Sequence, residues 1–446
     1  MNLHPTRRAV LGGLGLAPLA AAAVADMPLA SILIRNVMLL DGTGSGRQPR
    51  NVRITGNRID AVTGGDIPAP AGATVIDGAG HTLMPGLTDA HWHMAAVRGV
   101  PWMGSDDATH IAMIFKDAEF QLMRGFTTVR DTAGAIFGIK NAIDRGIMPG
   151  PRCYPSGAAI SQTSGHGDPE PVGELPTALG GGPTIRQQKG MTAVANGVPE
   201  VLAATREQLK RGASQIKIMA GGGVTSDHDP IDTVQYTLEE MRAIVQVASD
   251  WGTYACAHAY TPAGVRRCLE AGVLSIEHGH AIDDRTAALI AEKGAWLSIQ
   301  PFEPGDNILT EEQEAKARES LGGEGWQSAV RLAKKHGVKV AFGTDLFSRT
   351  RVSRTENVML SRFGTIYSNA EVLRIATSGN CQLFAQSGQR NPYRQAALGV
   401  IREGAWADLL LVRGNPLDDL RLLEDYERNL LLIVKDGVIH KNLGSV

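Results

Sequence analysis

The chain contains few cysteines, four in 446 residues, and none of them forms a Cys-x-x-Cys pair. That spacing is expected of zinc ribbons and thioredoxin-like redox centres, so the sequence favours neither. Cys153 and Cys256 fall in predicted buried strands, Cys268 in a helix. Cys381 falls near a predicted helix end. An oxidising compartment permits disulfides but does not require them, and we expect four free thiols in the core.

The chain also lacks an excess of basic residues. Lys and Arg number 44 against 46 for Asp and Glu, which gives a formal net charge of -2. A protein that binds a phosphate backbone needs a positive surface, so nucleic acid is not an expected partner. Beyond the N-terminus, no stretch reaches the roughly 18 consecutive apolar residues of a membrane span. The sequence therefore predicts no membrane span.

The N-terminus has the pattern of an export signal. Thr6-Arg7-Arg8-Ala9-Val10-Leu11 places paired arginines before an apolar run, which ends at the small-x-small cleavage site Ala23-Val24-Ala25. This pattern predicts a twin-arginine signal peptide over residues 1–25. The mature bacterial protein would then be periplasmic or secreted. A Sec signal or a buried N-terminal helix are the alternatives.

The remaining chain divides into strand-rich ends and an alternating middle. Short strands without a helical period occupy residues 31–83 and 399–440. Between them apolar strands alternate with amphipathic helices, which is typical of a parallel α/β barrel. We predict an α/β protein, with a (β/α)8 TIM barrel over residues 86–390 and a small β-sandwich domain built from residues 26–85 and 391–446. The eight predicted barrel strands are 86–90, 127–130, 152–157, 215–218, 253–257, 275–277, 296–300 and 339–343.

Two connections between these strands are informative. Thr237 and Glu240 form a capping box at the start of the helix between the fourth and fifth strands. Residues 162–197 form a long connection with few apolar positions and a Gly180-Gly181-Gly182-Pro183 tract. Structureless loops of that length are usually functional or disordered. Since it follows the third strand, we predict a substrate lid.

Two histidines, His91 and His93, lie two residues apart at the end of the first barrel strand. A period of two turns both to the same side, and barrel active sites lie at the C-terminal ends of the strands. Three further strands end in His258, His278 and Asp345. Imidazole and carboxylate are ligands of zinc, manganese or cobalt. Each residue alone could be a polar group at a loop mouth, but jointly they predict a metal site.

Lys217 interrupts the apolar run from Gln215 to Met219. A cation that faces the core is costly when it has no partner. The residues alone predict that Lys217 is paired, has a lowered pKa or is modified. The glycine run at 221–223 lacks the Gly-Lys-Ser/Thr ending of a phosphate loop, and we expect it to let the backbone approach the substrate.

Taken together, these motifs resemble the metal-dependent amidohydrolase superfamily, in the branch that contains Xaa-Pro dipeptidases, imidazolonepropionase and ochratoxin-hydrolysing amidases. The resemblance covers the whole mature chain, and its matching segments are residues 85–93, 125–131, 216–218, 275–279, 343–345 and 407–409. It implies that Lys217 is carbamylated and bridges two divalent metal ions, which we expect to be zinc. The implied metal ligands are His91, His93, Lys217, His258, His278 and Asp345.

The resemblance also implies a mechanism, in which the metal pair generates hydroxide at working pH. Asp345 would be the general base and then the acid. His166 matches a family histidine that hydrogen-bonds the scissile carbonyl, and Tyr236 matches a tyrosine that binds a substrate carboxylate. The residues themselves equally allow a histidine on a surface loop and a tyrosine packed under a helix.

Four further residues lie beside the predicted site. Arg130 and Asp131, at the end of the second strand, are expected to pair with each other as structural support. His228 and His280 lie near the predicted mouth of the barrel, and the sequence assigns neither of them a role.

The leading hypothesis is hydrolysis of an amide bond whose amine-side product carries a carboxylate, as in Xaa-Pro dipeptides, N-acyl amino acids or ochratoxin-like amides. One alternative is a cyclic amidase, imidazolone hydrolase or lactonase that acts on rings without a free carboxylate. Another is a non-catalytic binding protein on a degenerate barrel, which usually follows from ligand loss. The expected partner is a small-molecule amide or dipeptide, and a homo-oligomer stays open.

Overall fold

A computed structural model describes residues 30–98, 103–168, 173–226, 228–306, 309–321, 325–346 and 355–444. The predicted signal peptide at residues 1–25 lies outside these residues. Among the helices that are described, none combines the length and the apolar character needed to cross a bilayer.

One mixed sheet joins the two ends of the described chain. Strand β5 (Thr82–Pro85) pairs antiparallel with strand β16 (Leu409–Val412), with Leu83 opposite Leu411. The predicted pairing of the two strand-rich ends is therefore confirmed. Residues 399–401, expected as a strand, are not one. Gly399 takes a φ of +70° and a side chain there would meet the Thr377 backbone at 2.7 Å, so the chain turns at this point. The strands are β1 (Ser31–Leu39), β2 (Gln48–Thr55), β3 (Arg58–Thr63), β4 (Thr74–Asp77), β5 (Thr82–Pro85), β16 (Leu409–Val412), β17 (Leu430–Lys435) and β18 (Val438–Asn442).

Ten further strands run parallel in two sheets, ordered β6-β7-β8 and β10-β9-β11-β12-β13-β14-β15. Each of the eight predicted barrel strands has a counterpart among them, and the α/β class is confirmed. Their apolar residues are buried against helices, as parallel sheets require. The strands are β6 (Leu87–Trp92), β7 (Phe126–Asp131), β8 (Arg152–Pro155), β9 (Ala159–Ser161), β10 (Thr192–Val194), β11 (Ile216–Met219), β12 (Ala255–Ala259), β13 (Ser275–His278), β14 (Trp296–Ile299) and β15 (Lys339–Phe342).

The predicted third strand, residues 152–157, is divided. β8 pairs with β7, whereas β9 pairs with β10 and places Ile160 opposite Ile218 of β11. Between them Gly157 has a φ of +71°, and a side chain there would approach the Gln208 amide oxygen to 2.3 Å. The same amide oxygen accepts the Ala158 N–H at 3.0 Å. This interruption turns the chain from one sheet into the other.

The two parallel sheets adjoin at a second place. The carbonyl oxygen of His91, near the end of β6, accepts the Asp345 N–H at 2.7 Å and the Thr344 N–H at 3.2 Å. Near the divided third strand, the Pro155 carbonyl accepts the Ser214 N–H at 2.7 Å. The first and last parallel strands are therefore neighbours.

Helices connect the parallel strands and cover them. The predicted capping box is confirmed, since the Glu240 N–H donates to Thr237 Oγ1 at 3.3 Å and the Glu240 carboxylate accepts the Thr237 N–H at 2.8 Å. The helices are α1 (Asp107–Met123), α2 (Phe137–Asp144), α3 (Ile185–Gln188), α4 (Gly197–Arg211), α5 (Leu238–Asp250), α6 (Pro262–Ala271), α7 (Asp284–Glu292), α8 (Glu311–Leu321), α9 (Gly325–His336), α10 (Thr355–Arg362), α11 (Asn369–Arg374), α12 (Asn380–Phe384) and α13 (Tyr426–Asn429).

The long connection at residues 162–197 has more regular structure than its composition suggested. Its described part contains a 3-10 turn at Thr177–Leu179, helix α3 and strand β10. Because β10 adds to β9 as a parallel strand, the second half of the connection is fixed to the sheet.

The four cysteines are free and buried in the structure, as expected. Burial raises the pKa of the Cys256 and Cys268 thiols to about 12, so the reactive thiolate is scarce at neutral pH. We expect the fully buried Cys153, Cys256 and Cys268 to stay unreactive towards a thiol reagent in the native protein. All four thiols should titrate after unfolding without reductant. A count below four in the unfolded protein would reveal a disulfide and contradict the prediction.

Candidate active site

A cavity of about 580 Å³ opens at the C-terminal ends of the parallel strands. The structure brings all six predicted metal ligands to its wall. His91 lies in β6, and His93 directly follows that strand. Lys217, His258 and His278 lie in β11, β12 and β13, and Asp345 follows β15. The ligands that line the cavity are His91, His93, Lys217, His258, His278 and Asp345.

Strand periodicity explains why Lys217 faces this cavity. Ile216 and Ile218 are buried in the core between β11 and the helices. Successive residues of a strand point to opposite faces, so Lys217 and Met219 point to the other side, where both line the cavity. The alternation of side chains along β11 therefore explains why Lys217 faces the cavity.

Two ligand residues depart from this alternation. Ile276 of β13 packs in the same core, so strict alternation would also direct His278 there. His278 instead takes a φ of +75°, and its ring lines the cavity. Asp345 likewise has a φ of +48°. Positive φ is uncommon outside glycine and is a feature of functional sites, where the surrounding structure maintains it.

The ligand atoms lie close together. His93 Nε2 is 2.8 Å and His91 Nε2 is 3.4 Å from Asp345 Oδ1. One ligand atom each from His91, His278 and Asp345 lie within 4.8 Å of one another. Lys217 Nζ is 3.5 Å from His91 Nε2. This spacing suits a common metal ion.

Hydrogen bonds decide which ring nitrogen is available to a metal. His91 Nδ1 lies 2.8 Å from Glu277 Oε2, and His278 Nδ1 lies 2.7 Å from the Gln300 amide oxygen. His258 Nε2 lies 3.1 Å from the Gly222 carbonyl. Each of these oxygens accepts an N–H, so the other ring nitrogen carries the lone pair. The residues present therefore fit a metal.

Burial also favours the form of these histidines that can bind a metal. It lowers the pKa of His91, His258 and His278 well below the ordinary value. These imidazoles are therefore neutral, which is the form that binds metals. Burial also lowers the pKa of Lys217, whose amine lies among them.

His166 also lines the cavity, in the loop after β9. Its ring stacks on His258 with centroids 4.2 Å apart, and its Nδ1 lies 3.1 Å from Asp229 Oδ2. The same carboxylate oxygen accepts the Gly223 N–H at 3.0 Å. A side chain at Gly223 would approach the His166 ring to 2.0 Å. The glycine run thus makes room for His166. Asp229, which sequence reasoning missed, orients its ring.

The expected pairing of Arg130 with Asp131 is wrong. Arg130 Nη2 lies 2.7 Å from both carboxylate oxygens of Glu277, whereas Asp131 Oδ2 accepts the Met94 N–H at 2.7 Å. Neighbours on a strand point to opposite faces, so these two side chains cannot meet. Sequence reasoning missed Glu277, although a carboxylate in a short buried strand beside a ligand was a usable signal.

The structure does not bring Tyr236 into the cavity. Its hydroxyl donates to the Ala195 carbonyl at 2.8 Å, and the side chain is buried. This is the packed tyrosine that the residues allowed, and Tyr236 is not among the residues that line the cavity. His280 does line the cavity, with Nε2 2.8 Å from the Gln300 carbonyl, whereas His228 is exposed.

Other cavity-lining residues come from segments that the sequence could not bring together. Many are apolar, and they are Met103, Met191, Val224, Phe302, Leu309 and Trp326. Four are charged, and they are Arg186, Glu303, Glu314 and Arg318. The cavity therefore combines a polar base with an apolar wall and a mixed-charge rim.

The position of Tyr236 leads to a specific prediction. Tyr236→Phe leaves the buried Ala195 carbonyl without this donor, so we expect the free energy of unfolding to fall by about 1–3 kcal/mol in a urea titration. The KM of the Tyr236→Phe variant for the amide substrates expected from the motifs should not change, because the Tyr236 hydroxyl does not line the cavity. His166→Ala is the contrast and should lower kcat/KM. A raised KM in Tyr236→Phe would contradict this prediction and support a substrate-binding role for Tyr236.

Known proteins are similar to this chain in sequence and in fold. Residues 82–439 match the family model of the amidohydrolase family. The chain is 31% identical to the ochratoxinase of Aspergillus niger over 392 aligned residues. The alignment covers 81% of this chain and 76% of that protein. A solved amidohydrolase has a TM-score of 0.82 and 35% identity over 93% of this chain and 99% of its own.

A solved prolidase in complex with N-methylphosphonate-L-proline has a TM-score of 0.82 and 32% identity, over 93% of this chain and 100% of its own. These matches confirm the resemblance stated from the motifs, and members of the superfamily are generally metal-dependent. The chain belongs to the amidohydrolase family and is a hydrolase that acts on amide or peptide C–N bonds.

Proposed function

We propose that the protein is a binuclear-metal amidohydrolase that releases a carboxylate-bearing amine from an Xaa-Pro dipeptide, an N-acyl amino acid or an ochratoxin-like amide. The observation that carries this proposal is the gathering of six ligand residues on one cavity wall. The names of two relatives support the substrate class: one is an ochratoxinase, and the other is a prolidase complexed with a proline derivative.

Two subsets of the ligands would hold the two ions. His91 and His93 each lie within 3.4 Å of Asp345 Oδ1, and together with Asp345 they would hold the first ion. His258 and His278, with ring centroids 4.5 Å apart, would hold the second. The lowered pKa of Lys217 favours the neutral amine, which is the form that adds carbon dioxide to give a bridging carbamate. Imidazole and carboxylate donors suit zinc.

Bound divalent ions would supply a lowered water pKa and a polarised substrate carbonyl. Asp345 would accept the proton of the attacking water on a carboxylate oxygen and deliver it to the leaving nitrogen. His166 would hydrogen-bond the oxygen of the scissile carbonyl. Its Nδ1 lies 3.1 Å from Asp229 Oδ2, and this contact orients the ring in the cavity wall.

Since Tyr236 does not reach the cavity, another group must hold the substrate carboxylate. Arg186 in α3 and Arg318 in α8 both line the cavity. A guanidinium group matches a carboxylate in planar, bidentate geometry. We therefore assign carboxylate binding to this rim, and the apolar wall to the acyl side of the substrate.

We also infer that the two parallel sheets close into one (β/α)8 barrel. The hydrogen bonds from Thr344 and Asp345 to His91 and the chain that links β8 to β9 support closure. The terminal sheet would form a sandwich, since β1 pairs with β4 along one half and with β5 along the other. The periplasmic or secreted location predicted from residues 1–25 is part of this proposal.

Asp345→Asn tests the proton-transfer role. Asparagine tolerates positive φ, so the backbone at this position should be kept. We expect kcat to fall by about 10²- to 10⁴-fold while most of the metal is retained, as measured by steady-state kinetics and elemental analysis. Asp284→Asn, on the exposed start of α7, is the control and should leave both unchanged. Unchanged turnover in Asp345→Asn would exclude the role.

Metal analysis with a substrate panel tests the reaction. We expect about two ions per chain and turnover of Xaa-Pro dipeptides, N-acyl amino acids or aryl amides that depends on the carboxylate. The matched control for each substrate is its carboxamide, which should react much more slowly. One ion per chain, or equal rates for acid and carboxamide, would favour a cyclic amidase, imidazolone hydrolase or lactonase.

A further inference from the structure

A fully buried ion pair lies behind the ligand His91. The side chains of Arg130 and Glu277 have no exposed surface, and Arg130 Nη2 is 2.7 Å from Glu277 Oε2. Burying two charges costs desolvation energy that is recovered only when both are well hydrogen-bonded. The pair therefore requires a full set of partners.

Glu277 has such a set. Its Oε1 accepts from Ser275 Oγ at 2.6 Å and from Arg130, and its Oε2 lies 2.7 Å from Arg130 and 2.8 Å from His91 Nδ1. An ionised carboxylate only accepts hydrogen bonds. The His91 ring must therefore carry its proton on Nδ1, which leaves the Nε2 lone pair directed at Lys217 and Asp345.

Arg130 is held equally firmly. It donates to the Ala90 carbonyl, and its Nη1 and Nη2 lie 3.2 Å from Tyr254 Oη and Ser298 Oγ. Ala90 precedes His91 on β6, so Arg130 contacts the ligand strand through its backbone as well as through Glu277. The cation thereby ties three strands, β6, β7 and β13, around one imidazole.

We propose that the Arg130–Glu277 pair is a positioning device that fixes the tautomer and ring orientation of His91 and thereby strengthens binding of a metal ion at His91, His93 and Asp345. This inference rests on the proposed metal site. Outer partners of a ligating histidine fix its tautomer and raise its basicity. The partners of His278 and His258 are a neutral amide and a neutral carbonyl, whereas His91 has a charged one, which forms the stronger hydrogen bond.

Paired variants test the proposal without leaving a lone buried charge. R130M/E277M removes the acceptor of His91 Nδ1, and R130M/E277Q keeps one acceptor oxygen. R152M/D408N is the control, because Arg152 and Asp408 form another buried pair, with a 2.7 Å contact, and neither lines the cavity. Circular dichroism and thermal melting of the metal-free proteins establish which variants fold.

Zinc affinity, measured by competition with a chelating dye, is the first readout. We expect R130M/E277M to bind one of the two ions about 10- to 100-fold more weakly than the wild type. R130M/E277Q should lose less zinc affinity, and the control R152M/D408N should lose none. Equal affinity of folded R130M/E277M and wild type, or an equal loss in the control, would overturn the proposal.

The tautomer of His91 is the second readout, from ¹⁵N spectra of histidine-labelled, metal-free wild type with the resonance assigned by its loss in His91→Gln. We expect the proton on Nδ1, with a mixture of tautomers in R130M/E277M. A proton on Nε2 in the wild type would overturn the proposal whether or not any variant folds. Wild type that binds no zinc would instead refute the proposed function, and the tautomer alone would then decide the role of the pair.

Discussion

The common direction of the parallel strands is the constraint on which the site depends. β11, β12, β13 and β15 run parallel within one sheet. The His91 carbonyl of β6 accepts hydrogen bonds from Thr344 and Asp345 just after β15, so these strands bring their side chains to one cavity. Residues distant in sequence, such as His91, Lys217 and Asp345, become neighbours without any loop having to carry them there. The alternation of side chains then selects which residues face inward. The positions of the predicted ligands are therefore set by the parallel strands and by the residues that directly follow them.

Placing so many polar groups inside a protein carries a cost that the surrounding residues offset. Glu277, Gln300 and the Gly222 carbonyl each take up one ring nitrogen of a ligand histidine, and Arg130 compensates the charge of Glu277. These contacts satisfy buried donors and leave the remaining lone pairs converging on the cavity. The groups that hydrogen-bond the buried polar side chains therefore also orient the candidate ligands before substrate binds. A site that is rigid in advance requires such supporting contacts.

The sequence was sufficient for the parts of this arrangement that periodicity controls. The inward direction of Lys217, the eight parallel strands and the cap at Thr237 each depend on local spacing. Partner choice was harder, since Arg130 bonds Glu277 across the interior rather than Asp131 beside it. The break at Gly157 and the inward rotation of His278 depend on positive φ angles that no period reveals. Tyr236 matched a motif, but packing places its hydroxyl against Ala195.

Specificity follows a different logic from catalysis in this chain. The base of the cavity is built by strands, whereas Arg186, Phe302 and Arg318 reach it from connections between them. Such segments can change length and composition more readily than the strands that carry the predicted ligands, because they are connections and β10 lies at the edge of its sheet. A change of substrate would then require new residues at the rim and apolar wall only. Under the proposed function, residues 186, 302 and 318 would select the amide that is cleaved, whereas the residues on and just after the strands would carry out the cleavage.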